Sequence, residues 1–165
     1  MSAVVNGWRS AAGSGKHTHL NGGRGLADAL APGSYETGWD ASWNVQLAAT
    51  ESEWDKNLGY GHDHNATWTL TASTNETRPI TLEIWYEAHA FCIWDGGFLP
   101  SEAEWYCAAA GGSEQRTYPW GATVPGPNAD LAVYGGYYNS SPSLPASDCT
   151  GVCNIAPVGS VVAYA

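Results

Sequence analysis

The sequence predicts a loop-rich, aromatic-rich domain with two main helices, and three observations support this. Twenty glycines and nine prolines among 165 residues indicate many turns. Charged residues make up only 13% of the chain while aromatic residues make up 12%, a balance that is not typical of disorder. Two segments, 83–95 and 102–110, carry helical patterns, and most of the remaining chain is loop-like. The length fits a single domain with a substantial core.

The first helix is predicted over residues 83–95. Its apolar positions follow the spacing of an amphipathic helix and predict a stripe that faces the core. That stripe consists of Ile84, Trp85, Ala88, Phe91, Cys92 and Trp94. Gly96 and Gly97 follow, and glycine at this place is typical of a helix C-terminus.

The second helix is predicted over Glu102–Ala110, with Ser101 and Glu104 as a capping box. Glu102 and Glu104 also have the chemistry of an acid/base pair. The cap accounts for Glu104 and the helix dipole favours Glu102, so we interpret both as structural. Gly111-Gly112 should end this helix.

The other elements are short. Brief helices are expected near residues 40–49 and 52–58, the second capped by Thr50 or Ser52. Tyr118-Pro-Trp-Gly121 predicts a rigid turn, and Ile155-Ala-Pro-Val-Gly159 the start of a short strand. The chain shows neither an internal repeat nor an inter-domain linker, which favours one domain.

Five motifs then occur in a recognisable order. They are Trp85-Tyr-Glu-Ala-His-Ala-Phe-Cys92, Trp94-Asp-Gly-Gly-Phe-Leu-Pro-Ser-Glu-Ala-Glu-Trp105, Ala108-Ala-Ala-Gly-Gly112, Tyr118-Pro-Trp-Gly121 and Asn154-Ile-Ala-Pro-Val-Gly-Ser160. Together they resemble the central block of formylglycine-generating enzymes and sulfatase-modifying factors. The clear resemblance covers residues 85–160, and the Trp- and Gly-rich upstream half is similar in character to bacterial members. Phe98 stands where many members have arginine.

The resemblance implies a variant of the C-type-lectin-like α+β fold, with two helices beside short, twisted antiparallel strands. It implies an oxidoreductase parent family, which includes copper-dependent oxidases that convert a sulfatase cysteine to formylglycine. The same family also includes non-haem-iron sulfoxide synthases and members whose fold serves binding alone. The family's later cysteine-bearing segment is not recognised in residues 1–165. We therefore expect a single incomplete domain, inactive as this chain; the alternative is a C-type-lectin-like binding or structural module.

The four cysteines are Cys92, Cys107, Cys149 and Cys153, and three disulfide pairings remain open. Cys149 and Cys153 are close in sequence, but their position does not match the family's active pair. A local disulfide or free loop thiols are favoured over a copper site. Cys92 and Cys107 are expected to be free, buried core thiols. The sequence therefore assigns no catalytic residue.

Histidines offer candidate metal ligands at His17 and His19 and again at His62 and His64. Imidazoles at alternate positions of an extended segment share one face and suit zinc, copper or iron. The iron enzymes of the resembling family use a wider, helical spacing. We therefore expect exposed loop histidines rather than a metal site, and the metal remains unknown.

Two further motifs carry less weight. Asn128 and Asp130 follow the Pro-Trp-Gly turn, where some members of the resembling family bind structural calcium, but the alignment assigns no ligands. Gly13-Ser-Gly-Lys16 suggests a phosphate-binding loop, yet the required upstream glycine and following hydroxyl residue are replaced by Ser10 and His17. We reject the phosphate loop on those grounds.

The net charge is −10, from 16 acidic and 6 basic residues. This charge disfavours nucleic acid and anionic membranes as partners, because both require a basic surface. No apolar run in the sequence approaches membrane-spanning length. The first residues lack a basic region followed by a long apolar one, so we do not expect them to be a signal peptide. An extracytoplasmic or secreted parent is compatible with these features, and a protein or small-molecule substrate is left open.

Overall fold

Helices account for the regular structure in the computed structural model, which describes residues 6–59, 66–124, 131–132 and 155–159. The α-helices are α1 (Glu51–Gly59), α2 (Trp85–Trp94) and α3 (Glu102–Ala109). Short 3₁₀ helices lie at Asn21–Gly23, Ala41–Gln46, Thr74–Thr77 and Gly112–Glu114. Within the described ranges, no helix is long and apolar enough to cross a membrane.

The predicted antiparallel strands are absent from the residues that the structure describes, so the α+β prediction is wrong there. Across the described ranges, only two isolated antiparallel bridges occur, Ala27 with Tyr35 and Tyr118 with Gly121. Each bridge closes a short turn rich in glycine or proline, where a ladder cannot extend. Residues 155–159, predicted to start a strand, instead include a turn.

The first predicted helix is confirmed as α2. The Glu87 carboxylate accepts from the backbone N–H of Ile84 at 3.1 Å and satisfies one free donor at the helix start. At the other end, the N–H groups of Gly96 and Gly97 donate to the carbonyls of Ile93 and Cys92. Gly96 adopts φ +85°, so the predicted glycine stop is a Schellman motif.

The predicted core-facing stripe of α2 is wrong. Its largest members are exposed: Trp85 is 51%, Phe91 60% and Trp94 53% accessible. The buried positions are instead Glu87, His89 and Ala90. Since apolar residues occur all around this helix, their spacing could not determine which face packs inward.

The second predicted helix is confirmed as α3. The Ser101 hydroxyl accepts from the Glu104 N–H at 3.3 Å, and the Glu104 carboxylate accepts from the Ser101 N–H at 2.8 Å. These two bonds form the predicted capping box. Gly111, with φ +70°, follows the last turn. Cys107 is exposed on this helix, so its prediction as a core thiol is wrong.

The predicted cap and turn near the other short elements are also confirmed. The Thr50 hydroxyl accepts from the Glu53 N–H at 3.2 Å, which caps α1 as one of the two expected candidates. Tyr118 and Gly121 exchange two backbone hydrogen bonds of 2.9 Å each and close the turn between them.

The chain divides into two compact units. Unit 1 comprises Met1–Trp54 and Glu83–Leu99, and unit 2 comprises Asp55–Leu82 and Pro100–Ala165. The buried apolar residues of unit 1 are Trp39, Leu47, Ala48, Trp54 and Ala90. In unit 2, the buried apolar residues of the described part are Leu58 and Ala110.

Candidate functional site

The partly buried carboxylate of Glu36 and the buried imidazole of His17 form a polar centre in unit 1. Glu36 accepts from the backbone N–H of His17 at 2.6 Å and from that of Leu26 at 2.9 Å. The Nδ1 atom of His17 lies 2.9 and 3.0 Å from the two carboxylate oxygens. Because an ionised carboxylate only accepts, this geometry assigns a proton to Nδ1 of His17. His17 is 4% exposed, so the prediction of an exposed loop histidine is wrong at this position.

Hydrogen bonding determines the ionisation of Glu36. Burial by itself would raise the pKa of this carboxyl group, but the bonds from the His17 and Leu26 backbones and from the His17 ring outweigh it, so the pKa lies below its usual range. Gly25 permits the arrangement, because any Cβ at this position would collide with the Glu36 side chain. One ionised carboxylate, that of Glu36, therefore joins the two ends of the segment between His17 and Glu36.

His89 of α2 is a second buried imidazole in unit 1. Burial lowers the pKa of His89, and a hydrogen bond to the Gly15 backbone and the charge of Glu36 oppose this only in part. A Cβ atom on Gly15 would lie 2.6 Å from Nε2 of His89, and Gly15 has φ +73°. Glycine is therefore required where the loop meets the helix. The segment first considered as a phosphate loop is a packing contact instead.

Aromatic rings surround the imidazole of His89. His89 lies 5.4 Å from Trp39 and 4.9 Å from Trp85 between ring centroids, and Trp43 contacts both tryptophans at similar distances. The rings meet mostly edge to face, the arrangement that aromatic pairs prefer. These contacts hold His89 in one orientation and keep its surroundings apolar.

Phe98 extends the ring contacts to the loop histidines. Its ring lies 4.5 Å from that of His17 and 5.0 Å from that of His19. His19 itself is exposed, as the sequence predicted. A phenylalanine at this position can stack on both imidazoles, which a charged side chain would not do with the same apolar contact.

The thiols of the described part do not assemble a site. Cys92 and Cys107 are both free, as predicted. Cys92 is half-buried on α2, and burial together with the charge of Asp95 raises its pKa. Cys149 and Cys153 lie outside the described residues, as do His62, His64, Asn128 and Asp130.

These donors do not fit a copper or iron centre within the ranges that the structure describes. No three His, Cys, Asp or Glu side chains among those residues group closely enough to hold a metal ion. The carboxylate of Glu36 is already committed to His17 and to two backbone N–H groups. The arrangement fixes a loop against a helix and supplies no open ligand set.

Sequence reasoning missed Glu36 and His89. Glu36 lies in a loop without helical or strand periodicity, so the sequence could not show which residues would lie beside it in the fold. His89 shares the i, i+3, i+4, i+7 spacing of a helix face with Tyr86, Ala90 and Ile93, but apolar residues all around α2 give no reason to prefer that face. Glu102 and Glu104 were considered as an acid/base pair and interpreted as structural. The structure agrees for Glu104, whose carboxylate caps α3.

Comparisons with known proteins agree with the motifs of α2 and α3. The profile of the "Sulfatase-modifying factor enzyme 1-like domain" matches residues 32–162. The formylglycine-generating enzyme of Thermomonospora curvata is 34% identical over 105 residues, which cover 64% of this chain and 29% of that protein. The inactive C-alpha-formylglycine-generating enzyme 2 of Bos taurus is 46% identical over 43 residues, or 26% of this chain and 14% of that protein.

A third relative has a different name. The serine/threonine-protein kinase Pkn1 of Chlamydia trachomatis is 44% identical over 46 residues, which cover 28% of this chain and 8% of that protein. The chain thus spans less than a third of the length of each of these curated relatives. No solved structure gives a significant match. Because the family profile covers most of the chain, this protein belongs to the sulfatase-modifying factor enzyme 1-like family, as its central motifs predicted.

Proposed function

We propose that this chain is the scaffold part of a formylglycine-generating-type domain and does not itself oxidise a cysteine. The observation that supports this is the environment of Cys92. Copper-thiolate chemistry requires a deprotonated sulfur, whereas burial and Asp95 raise the pKa of this thiol. Cys107, the other described thiol, lies on α3 in unit 2 and is exposed.

The names of the relatives are compatible with this proposal. They include both a formylglycine-generating enzyme and a protein called inactive. Family membership by itself therefore leaves activity open. In an oxidase parent, residues of the α2–α3 block would support the fold around a reaction carried out by other residues.

The test is oxidation of a peptide containing Cys-X-Pro-X-Arg, the sequence type that the family resemblance suggests. The chain would be supplied with copper and oxygen, and the peptide mass would be followed over time. We expect no conversion above a copper-only blank, while the Thermomonospora curvata enzyme serves as the positive control. Conversion that is lost on substituting Cys92→Ser, Cys149→Ser or Cys153→Ser would contradict the proposal.

A binding module is the second candidate function, and the exposed face of α2 favours it. Phe91 and Trp94 are more than half exposed, and their ring centroids lie 6.0 Å apart. Contiguous exposed apolar side chains commonly mark binding surfaces. The same peptide with serine in place of cysteine cannot be oxidised. Saturable binding of that peptide, weakened by Phe91→Ser, would support this candidate, and no saturable binding would count against it.

A further inference from the structure

Helix α3 of unit 2 is exposed along almost its whole length. Within Glu102–Ala109 only Glu104 and Ala109 are partly covered, and the other six side chains are exposed. Two of these are the largest side chains of the helix, since Trp105 is 66% and Tyr106 60% accessible. Large aromatic side chains contribute much of the area that protein interfaces bury, so an exposed neighbouring pair indicates a binding surface.

Helical geometry places a carboxylate beside these rings. Glu102 precedes Trp105 by three positions and Tyr106 by four, and side chains at these separations are neighbours on one face of a helix. Glu102 is exposed, whereas the carboxylate of Glu104 is held by the N–H and the hydroxyl of Ser101 at 2.8 and 2.7 Å. We call Glu102, Trp105 and Tyr106 the α3 face. It presents one negative charge next to two aromatic rings.

This combination favours a cationic group, and a guanidinium above all. The face of an aromatic ring attracts cations, most strongly in tryptophan. A planar guanidinium can stack on a ring and also donate to a carboxylate, which suits both parts of the α3 face. An ammonium group is a compact, strongly hydrated point charge and lacks the planar shape that stacks on a ring.

The part of the chain that the structure describes does not supply this cation. Helix α3 contains neither lysine nor arginine. The guanidinium of Arg116, the basic residue that follows it in sequence, donates to the Glu114 carboxylate and to the Pro119 carbonyl. The one cation–π contact among the described residues joins Arg24 to Tyr35. A cation on the α3 face would therefore come from another molecule.

The overall charge separates the possible partners. The chain has 16 acidic and 6 basic residues, so a second copy, a nucleic acid or an anionic membrane would each bring further negative charge to the α3 face. A partner with a basic surface is attracted instead, and this attraction speeds association. The rings then add apolar contact area, which exposed charges alone do not provide.

We propose that the α3 face binds a protein segment that presents arginine next to an apolar side chain. The guanidinium stacks on Trp105 and pairs with Glu102, and the apolar side chain packs on Tyr106. This surface lies in unit 2, whereas the exposed rings of α2 lie in unit 1. The proposal does not depend on the proposed function.

The test is a titration of the chain into a fluorescently labelled peptide in which arginine and leucine alternate, read by anisotropy at constant ionic strength. The peptide contains neither cysteine nor proline, so its binding is measured apart from cysteine oxidation. We expect saturable binding that Trp105→Ala weakens about tenfold, the size expected for loss of a partly desolvated cation–π contact. The same peptide with lysine in place of arginine should bind more weakly, and with glutamine it should not bind.

Matched variants separate the α3 face from the rest of the acidic surface. Glu102→Gln should weaken binding about threefold, the usual size for an exposed ion pair. Glu51→Gln should leave binding unchanged. Glu51 is also an exposed glutamate in the first turn of a helix with a tryptophan three positions later, but that tryptophan, Trp54, is buried. Trp94→Ala removes an exposed tryptophan of α2 and should have no effect.

The urea midpoint of each variant is compared with that of the wild-type chain before titration. Glu102→Gln keeps the size of an exposed side chain, so it tests the proposal even if Trp105→Ala folds poorly. No saturable binding by the wild-type chain, or equal binding by Glu102→Gln and Glu51→Gln, would overturn the proposal. So would an equal loss of binding in Trp94→Ala and Trp105→Ala. A wild-type dimer in sedimentation that Trp105→Ala dissociates would assign the α3 face to a second copy and contradict the proposal as well.

Discussion

At the scale of single residues, Glu36 links two loop segments of unit 1 to each other, at His17 and at Leu26. It accepts from two backbone N–H groups and from the His17 ring, and its side chain is 21% exposed. Replacing it with glutamine removes the charge while keeping the size. We expect Glu36→Gln to lower the free energy of unfolding by about 2 kcal/mol, because bonds to charged groups are the stronger ones. Urea unfolding followed by tryptophan fluorescence measures this change.

A matched control for Glu36→Gln is Glu114→Gln. Glu114 also pairs with a cationic side chain, Arg116 at 2.7 Å, but both partners are exposed. Exposed pairs contribute little, so this variant should unfold at nearly the wild-type urea concentration. Equal effects of the two substitutions would show that the buried contacts of Glu36 do not stabilise the chain.

At the scale of elements, local sequence signals predicted where helices begin and end, but not which side of α2 is buried. A cap depends on residues three or four positions apart, so Ser101 and Glu104 identified the start of α3 correctly. The buried face depends on distant loop residues such as Gly15 and Trp39, which sequence spacing cannot reveal. The same reason explains why Cys107 was wrongly predicted to be buried.

The cap of α3 gives a prediction at this scale. Ser101→Ala removes the acceptor for the Glu104 N–H, and loss of a serine cap commonly costs about 1 kcal/mol. We expect a loss of that size in the free energy of unfolding, measured with urea. Ser113→Ala is the matched control, because Ser113 is exposed in the 3₁₀ helix that follows α3, and this variant should leave stability unchanged. If both variants behave alike, the capping box does not contribute to stability.

At the scale of the whole molecule, the family was predictable from sequence and the fold class was not. Motif order from Trp85 to Ser160 depends on local residue choice, and the family profile confirms the membership. The α+β prediction followed from the resemblance, whereas the described residues show only two isolated bridges. Strand pairing depends on contacts between distant segments, and glycine-rich loops carry little signal for them. Whether the chain is one domain stays a prediction, beside the two compact units observed.

Stability against pH is a property of the whole molecule to which His89 and Glu36 of unit 1 contribute. The pKa of His89 in the folded chain lies below its ordinary value of 6.5, so the unfolded chain binds the extra proton first. Stability should therefore fall as pH decreases below 6.5. The pKa of Glu36 is also lowered, from 4.5, so its contribution is present above that pH and is lost as pH falls through the folded value.

The two contributions act in the same direction but in different pH ranges, so substitutions should separate them. His89→Gln should flatten the decline in the urea midpoint that begins below pH 6.5, and leave the decline below pH 4.5 in place. Glu36→Gln should do the reverse, because it retains the imidazole of His89. A urea midpoint of the wild-type chain that is constant from neutral pH to below 4.5 would contradict both assignments. If the decline that begins below pH 6.5 persisted in His89→Gln, the assignment of that decline to His89 would be contradicted, since glutamine cannot take up the proton.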